Sequence, residues 1–213
     1  MSEGGGRAGE RLGVLGGTFD PVHVGHLVAA LDVRNALSLD RVLLMVANVP
    51  WQKRGARELT PAGDRLAMVA AAVEGLDGVE ASALEIERGG DSYTADTLET
   101  LAAARPSPEL FLVVGDDVAE ELHTWHRPEV VRDLATLVVV NRPGVPPARL
   151  GPVPRPGGRS GPGWRYERVH IPAIGVSSTE LRQRLATGRP VDFLIPEGAI
   201  RCIRERRLYA GSR

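Results

Sequence analysis

The chain is expected to fold as an α/β protein, a doubly wound parallel sheet with a C-terminal helical extension. Three observations carry that expectation. Short continuous apolar runs at 12–15, 41–47, 110–114 and 135–140 have the texture of strands buried on both faces. Segments of helical length and period lie between them, which favours parallel crossovers over a sandwich. A length of 213 residues with 43% hydrophobic content is enough to bury a full core without staples.

Taken in order, Leu12-Gly13-Val14-Leu15 closed by Gly16-Gly17 reads as a buried strand ending in a tight turn. Val24, Leu27, Val28 and Leu31 recur at i, i+3, i+4 and i+7, so a helix with one apolar face follows. Residues 41–47 (RVLLMVA) form the second strand. Thr60 before Pro61 reads as an N-cap with proline at the first helical position, and Leu66, Val69 and Val73 give that helix its stripe. Residues 79–87 alternate polar and apolar as a strand does, and 94–104 are helical in pattern. Strands at 110–114 and 135–140 enclose two short helical stretches.

Residues 142–165 are so dense in proline and glycine that no regular element fits, and 143–165 is expected to be a flexible insertion. A strand follows at 166–171. Ser177-Ser178-Thr179-Glu180 reads as a capping box opening a helix to Ala186, stopped by Gly188 and Pro190. A basic helix over 196–208 closes the chain. Residues 12–209 are thus expected to be one domain, behind a flexible Gly-rich tail at 1–11.

Composition narrows the function. A net charge of −1 gives no global attraction to nucleic acid or an anionic membrane. The single cysteine, Cys202, excludes an internal disulfide framework and a cysteine-built metal site. No apolar run approaches the roughly 20 residues of a membrane span, and the first 11 residues lack the apolar core of a signal peptide. A cytoplasmic protein is expected; the oligomeric state, a homo-oligomer included, stays open. Lys53 is the only lysine, so the other 25 of the 26 basic residues are arginines. That bias, beside abundant Ala, Gly and Pro, reads as genomic base composition, so each arginine is judged by its position.

Gly16-Gly17-Thr18-Phe19-Asp20-Pro21-Val22-His23-Val24-Gly25-His26 carries the most chemistry. Two glycines after a buried strand let backbone N–H groups approach an anion, and the helix start beyond them favours negative charge. The spacing is neither the dinucleotide G-x-G-x-x-G nor the P-loop. Histidines three apart at a helix start share a face, so both imidazoles can address one phosphate, with Gly25 leaving room for the ligand. A metal site would need a third and fourth ligand, which nothing nearby supplies. Purely structural histidines remain the other reading. Ser177, Ser178, Thr179 and Arg182 form a second helix start able to hold an anion, or an ordinary cap.

The pair of motifs, His-x-Gly-His and Ser-Ser-Thr-x-x-Arg, resembles the nucleotidyltransferase superfamily, whose fold is Rossmann-like. Class I aminoacyl-tRNA synthetases share the first motif, but the chain is short for one and has no KMSKS-like segment. Between the two motifs stand Asn48-Val49-Pro50-Trp51-Gln52-Lys53, Gly89-Gly90-Asp91-Ser92-Tyr93-Thr94, Gly115-Asp116-Asp117, Thr124-Trp125, Asn141-Arg142-Pro143-Gly144 and Phe193-Leu194-Ile195-Pro196-Glu197. These are similar to the bacterial nicotinate-nucleotide adenylyltransferases, from about Gly13 to Tyr209 outside the Pro/Gly-rich segment. The phosphopantetheine adenylyltransferases resemble both ends, but are shorter and lack the Ser-Tyr-Thr and Thr-Trp segments.

The resemblance implies transfer of the adenylyl group of ATP to nicotinate mononucleotide, giving deamido-NAD and pyrophosphate, a step of NAD biosynthesis. It implies His23, His26 and Arg182 as catalytic residues. ATP would be held by Gly16, Gly17, Thr18, Phe19, His23, His26, Ser177, Ser178 and Arg182. The nicotinate nucleotide would be held by Asn48, Lys53, Thr94, Ala95, Asp117, Trp125 and Arg142. Thr94 and the Ala95 amide would face the nicotinate carboxylate, Trp125 would stack on the pyridine, and Asp117 would take the ribose hydroxyls. The other readings are Trp125 as core, Thr94 and Asp117 as helix caps, and Arg142 as a solvated loop residue. Mg²⁺ carried mainly by the ATP phosphates is the implied cofactor, with no protein-housed metal. Gln52 stands where the family often has histidine, which shifts any cationic role there toward Lys53. An adenylyltransferase for nicotinamide mononucleotide or phosphopantetheine, and a non-catalytic nucleotide-binding regulator, are the alternatives.

Overall fold

The structure is a computed structural model and describes residues 9–50, 59–104, 106–150 and 163–210. Six strands, β1 (Arg11–Gly17), β2 (Arg41–Val46), β3 (Val79–Ser82), β4 (Glu109–Gly115), β5 (Ala135–Val140) and β6 (Tyr166–Val169), form one sheet in the order β3-β2-β1-β4-β5-β6. Every pairing is parallel, with Leu12 opposite Arg41 and Leu110 across the two flanks of β1. This is the doubly wound, Rossmann-like α/β fold. The chain winds outward to β3, then returns past β1 to start β4. The crevice at that reversal lies above the C-terminal ends of β1 and β4, where such sheets hold ligands.

Strand side chains alternate between two cores, as their period of two dictates. Leu12, Val14, Leu43, Met45, Leu110, Leu112, Leu137 and Val139 enter one cluster. Leu15, Val42, Leu44, Val46, Phe111, Val113 and Val138 enter the other. Helices cover both faces: α1 (Val24–Ala36), α2 (Ala62–Val73) and α8 (Glu197–Glu205) on one, α4 (Thr94–Ala102), α5 (Asp116–Glu121) and α6 (Pro128–Leu134) on the other. Two further helices are α3 (Leu84–Arg88) and α7 (Ser178–Ala186). Among the described residues no helix is long and apolar enough to cross a membrane.

Several local expectations are corrected. The expected stripe of α1 is not its buried face: Ala29, Ala30 and Val33 are buried and Leu31 is 36% exposed. Small alanines let that helix lie close to the sheet, which the larger side chains could not. Thr60 does not cap α2; Pro61 occupies the cap position, and the Thr60 carbonyl accepts from Arg65 Nε at 2.8 Å. The strand expected over 79–87 stops at Ser82, whose partner in register is Met45, and the chain turns into α3. The last strand ends at Val169 and α8 ends at Glu205. The capping box of α7 is half made: Ser177 Oγ accepts from the Glu180 N–H, while the Glu180 carboxylate pairs with Arg184.

Helix α7 closes with paired reverse bonds, Arg189 N–H to the Arg184 carbonyl and Gly188 N–H to the Leu185 carbonyl, with Gly188 at φ +67°. That left-handed residue is why glycine ends the helix. Gly198 has a different reason: a Cβ there would stand 2.1 Å from the Ala71 carbonyl oxygen, at the crossing of α2 and α8. Since backbone cannot yield as a side chain can, Gly198→Ala is expected to cost about 3 kcal/mol by urea unfolding. A cost below about 1 kcal/mol would contradict this close crossing.

Of the Pro/Gly-rich segment, residues 151–162 lie outside the described residues, as do 1–8 of the N-terminal tail. The near flank is tied down. Ala148 is buried, its N–H donates to Asp116 Oδ1 at 2.8 Å, and its carbonyl accepts from Arg168.

Candidate active site

The end of β1 delivers Gly16, Gly17, Thr18 and Phe19 to the mouth of the crevice, and α1 begins at once with His23 as its cap residue. Gly16 is exposed with open space above it, as an approach to an anion requires. Gly17 has a packing role, since a Cβ would lie 2.8 Å from the Phe19 ring. Phe19 is buried at φ +49°, and its ring meets His26 edge-on at 4.9 Å.

His23 and His26 stack face to face, with centroids 3.7 Å apart and planes 25° from parallel. The His23 N–H donates to His26 Nδ1 at 3.2 Å. An accepting Nδ1 leaves the proton on Nε2, so neutral His26 offers a donor there. Gly25 does not hold space for a ligand: a Cβ would meet His23 Nδ1 at 3.1 Å and Val176 at 3.3 Å. Its hydrogen is what allows the His23 ring and the segment before α7 to close over the helix.

The two motifs, some 160 residues apart in sequence, meet here. Ser178 Oγ donates to the Pro21 carbonyl at 2.9 Å, and Arg182 Nη1 donates to the Asp20 carbonyl at 2.7 Å. Arg182 also reaches Thr179 Oγ1 at 3.1 Å. Asp20 is buried, and Tyr209 at the far end of the chain donates its hydroxyl to Asp20 Oδ1 at 2.6 Å. Burial, then that carboxylate, push the Tyr209 phenol far above its ordinary pKa. The tyrosine therefore stays a donor and pins the turn before His23.

Burial holds His23 well below the usual imidazole range, at about 4, with the nearby Arg142 cation adding to the effect. His23 is thus neutral at pH 7, and the formal positive charge of this region is carried by Arg182 and Arg142. The unfolded chain, with His23 near 6.5, binds the proton more readily between pH 6.5 and 4, so stability falls as pH drops through that window. The full effect approaches about 3 kcal/mol. His23→Gln is expected to flatten that part of the urea-measured stability profile between pH 7 and 4.5. An unchanged slope would contradict a buried neutral imidazole.

Beside the histidines, Arg142 at the end of β5 pairs with Asp117 Oδ2 at 2.5 Å. Gly115 makes room for the pair, since a Cβ would lie 2.6 Å from Asp117 Oδ1. Asn48, at the end of β2, is built into the floor. Its N–H donates to Ser92 Oγ at 2.8 Å and its Nδ2 to the Gly90 carbonyl at 2.9 Å. That ties it to the loop entering α4, whose first residues are half-buried Thr94 and buried Ala95. Trp125 packs on the apolar cluster that holds Ala95 and Leu98. No hydrogen bond or ring contact among the described residues links Thr94 or Trp125 to the histidine pair. Lys53 and Gln52 lie outside the described residues.

Buried side-chain polar atoms without a partner among the described residues are His23 Nδ1, Asp117 Oδ1, Trp125 Nε1, Arg88 Nη2 and Arg132 Nη1. Since folded proteins pair nearly all such atoms, each one calls for an explanation. The first three belong to residues that sequence alone selects for ligand contact.

Sequence reasoning overlooked Arg65. It is 1% exposed, and its guanidinium donates to the carbonyls of Thr18, Ala47, Asn48 and Thr60 at 2.7 to 3.0 Å. It fastens the ends of β1 and β2 together under the crevice. The available signal was its place on the buried face of α2, four residues before Val69 and eight before Val73.

A parallel sheet whose reversal point carries His-x-Gly-His on one helix start and Ser-Ser-Thr-x-x-Arg on another is the framework of a nucleotidyltransferase. Residues 14–184 match the cytidylyltransferase-like family. Within it, the chain belongs to the nicotinate-nucleotide adenylyltransferases. A relative from Corynebacterium kroppenstedtii, named "probable nicotinate-nucleotide adenylyltransferase", is 41% identical over 95% of this chain and 92% of its own. One of the same name from Frankia casuarinae is 40% identical over 93% of this chain and 100% of its own. Among solved structures, a Plasmodium falciparum nicotinic acid mononucleotide adenylyltransferase complexed with NaAD superposes with a TM-score of 0.71. It is 18% identical, with 94% of this chain and 97% of that chain covered, and so bears on the fold.

Proposed function

We propose that this chain joins nicotinate mononucleotide to ATP, forming deamido-NAD and pyrophosphate, with residues 12–209 acting as one unit. Family membership supports the reaction. The single structural observation that supports the site is the meeting of His23 and His26 with Ser178 and Arg182 at the sheet's reversal point.

The chemistry asks little of a protein base. The acceptor is a phosphomonoester with a second pKa near 6, so it is mostly dianionic at pH 7 and attacks the ATP α-phosphorus unaided. The new P–O bond forms as the bond to the β-phosphate oxygen breaks, and pyrophosphate leaves with that electron pair. Positioning and charge stabilisation are what remain to be supplied. His26 Nε2–H, neutral His23, Arg182 and the helix starts at Val24 and Ser178 would surround the ATP phosphates, with Gly16, Gly17, Thr18, Phe19 and Ser177 forming the wall.

On the acceptor side, the N–H groups of Thr94 and Ala95 at the start of α4 suit a carboxylate better than a neutral carboxamide. Trp125 offers its face to the pyridine and its unpaired Nε1–H to an acceptor. Asp117 and Arg142, paired with each other here, would part to take ribose hydroxyls and phosphate, and Asn48 would line the floor. Among the described residues no three His, Cys, Asp or Glu side chains gather to house an ion, so the donor set fits a cation brought in on the nucleotide. Mg²⁺ on the ATP phosphates would neutralise the charge left on pyrophosphate. The substrates are thus small nucleotides, met in the cytoplasm.

Incubation with ATP, Mg²⁺ and nicotinate mononucleotide is expected to yield deamido-NAD and pyrophosphate in equal amounts by mass spectrometry. ADP and phosphate in their place would contradict attack at the α-phosphorus.

A further inference from the structure

We infer that Arg127 is a positioning residue for acceptor choice: it clasps the Trp125 turn onto α4 and offsets one of the two carboxylate charges there, which helps that helix start accept an acid. The inference rests on the proposed reaction.

Its guanidinium forms a fork on α4, with Nη1 and Nη2 each 2.9 Å from an oxygen of Glu99, and Nη2 also bonded to Asp96. Asp96 and Glu99, three residues apart, present one face of that helix. The preceding residue grips the same helix one turn earlier, with the His126 ring 4.4 Å from the ring of Tyr93, the α4 cap residue. Arg127 itself sits at φ +50° and ψ 57°, a conformation a non-glycine residue adopts only when its surroundings hold it there. Immediately before this clasp stands Trp125, whose indole joins the cluster containing Ala95.

The arrangement has an electrostatic consequence. Asp96 lies in the first turn of α4, two residues from Thr94, and Glu99 is one turn further on. Left unpaired, two negative charges would stand close to the amides that are to receive a nicotinate carboxylate. They would oppose the acid and leave the neutral amide nearly untouched. Arg127 pairs with both. A merely structural brace would affect the two acceptors alike, which separates the two roles.

The test is the ratio of kcat/KM for nicotinate mononucleotide to that for nicotinamide mononucleotide. Arg127→Leu is expected to lower the ratio roughly ten-fold, with the KM for ATP changed less than about two-fold. Arg127→Lys, which keeps the charge and loses the fork, should fall between. Adding Asp96→Asn and Glu99→Gln to Arg127→Leu removes all charge from that face, which is then less negative than in the wild type, and should restore the ratio fully or exceed it. Equal losses for both acceptors, or a triple variant as unselective as the single one, would overturn the inference. If Arg127→Leu does not fold, Arg127→Lys and the neutral triple variant carry the comparison. A wild-type chain that prefers neither pyridine nucleotide would instead overturn the proposed reaction, which keeps the two failures distinguishable.

Discussion

His26→Ala is expected to lower kcat about 10²- to 10³-fold while the Kd for ATP changes only a few-fold. The asymmetry follows from where charge develops. In the proposed ATP complex, Arg182, the helix starts and a cation carried by the nucleotide would already share the phosphates. As pyrophosphate departs, charge grows on its oxygens, and a donor aimed at that growth strengthens only in the transition state. His26 is fixed for this role by its stack on His23 at 3.7 Å and by Nδ1 accepting from the His23 N–H. Rapid-quench turnover with separately measured ATP binding checks the split. An unchanged kcat would remove His26 from the catalytic set, and a collapse of ATP binding would make it a ground-state ligand.

The second large effect is on stability. Arg65→Met is expected to cost about 3–5 kcal/mol, a substantial share of the roughly 5–15 kcal/mol that holds an ordinary domain folded. The guanidinium serves the carbonyls of Thr18, Ala47, Asn48 and Thr60, and methionine would leave those buried acceptors unserved. Arg65→Lys keeps the charge but not the planar fork, and should recover less than half of the loss. Urea unfolding of the three proteins reads this directly. Because Thr18 and Asn48 border the crevice, the methionine variant should also lose turnover at temperatures where it remains folded. A loss below about 1 kcal/mol would show that the four bonds contribute little beyond what water provides.

Arg65 also shows what kind of information a sequence conceals. The strands were legible because both faces of the sheet are covered, so Val42-Leu43-Leu44-Met45-Val46 has no polar position to disguise it. The strand over 79–87 misled because alternation persists through residues 83–87, whereas the sheet edge ends at Ser82 and the chain coils to bury Glu85, which accepts from Thr97 at 2.6 Å. Such a bond joins elements 12 residues apart and leaves no periodic trace.

For the site, His23, His26 and Arg182 were legible as motifs, and the structure brings their two helix starts together. Their supports were not. Tyr209 reaches Asp20 across 189 residues, and Asn48 is fixed through Ser92 and Gly90. These are contacts between loops, where one residue type serves many purposes. Gly25 was misread for a related reason. Its spacing suggested room for a ligand, while the atom it spares belongs to His23. His23 itself, expected with His26 to address one phosphate, is buried, whereas His26 is half-buried.

Whether this site adenylylates a nicotinate nucleotide is decided by one competition assay. Mg²⁺-dependent pyrophosphate release from ATP is measured with nicotinate mononucleotide, nicotinamide mononucleotide and phosphopantetheine offered as rival acceptors. Release is expected to be fastest with the nicotinate form and absent when no acceptor is present. Preference for either other acceptor would contradict the carboxylate site at Thr94 and Ala95, and ATP binding without release from any of the three would contradict the reaction itself.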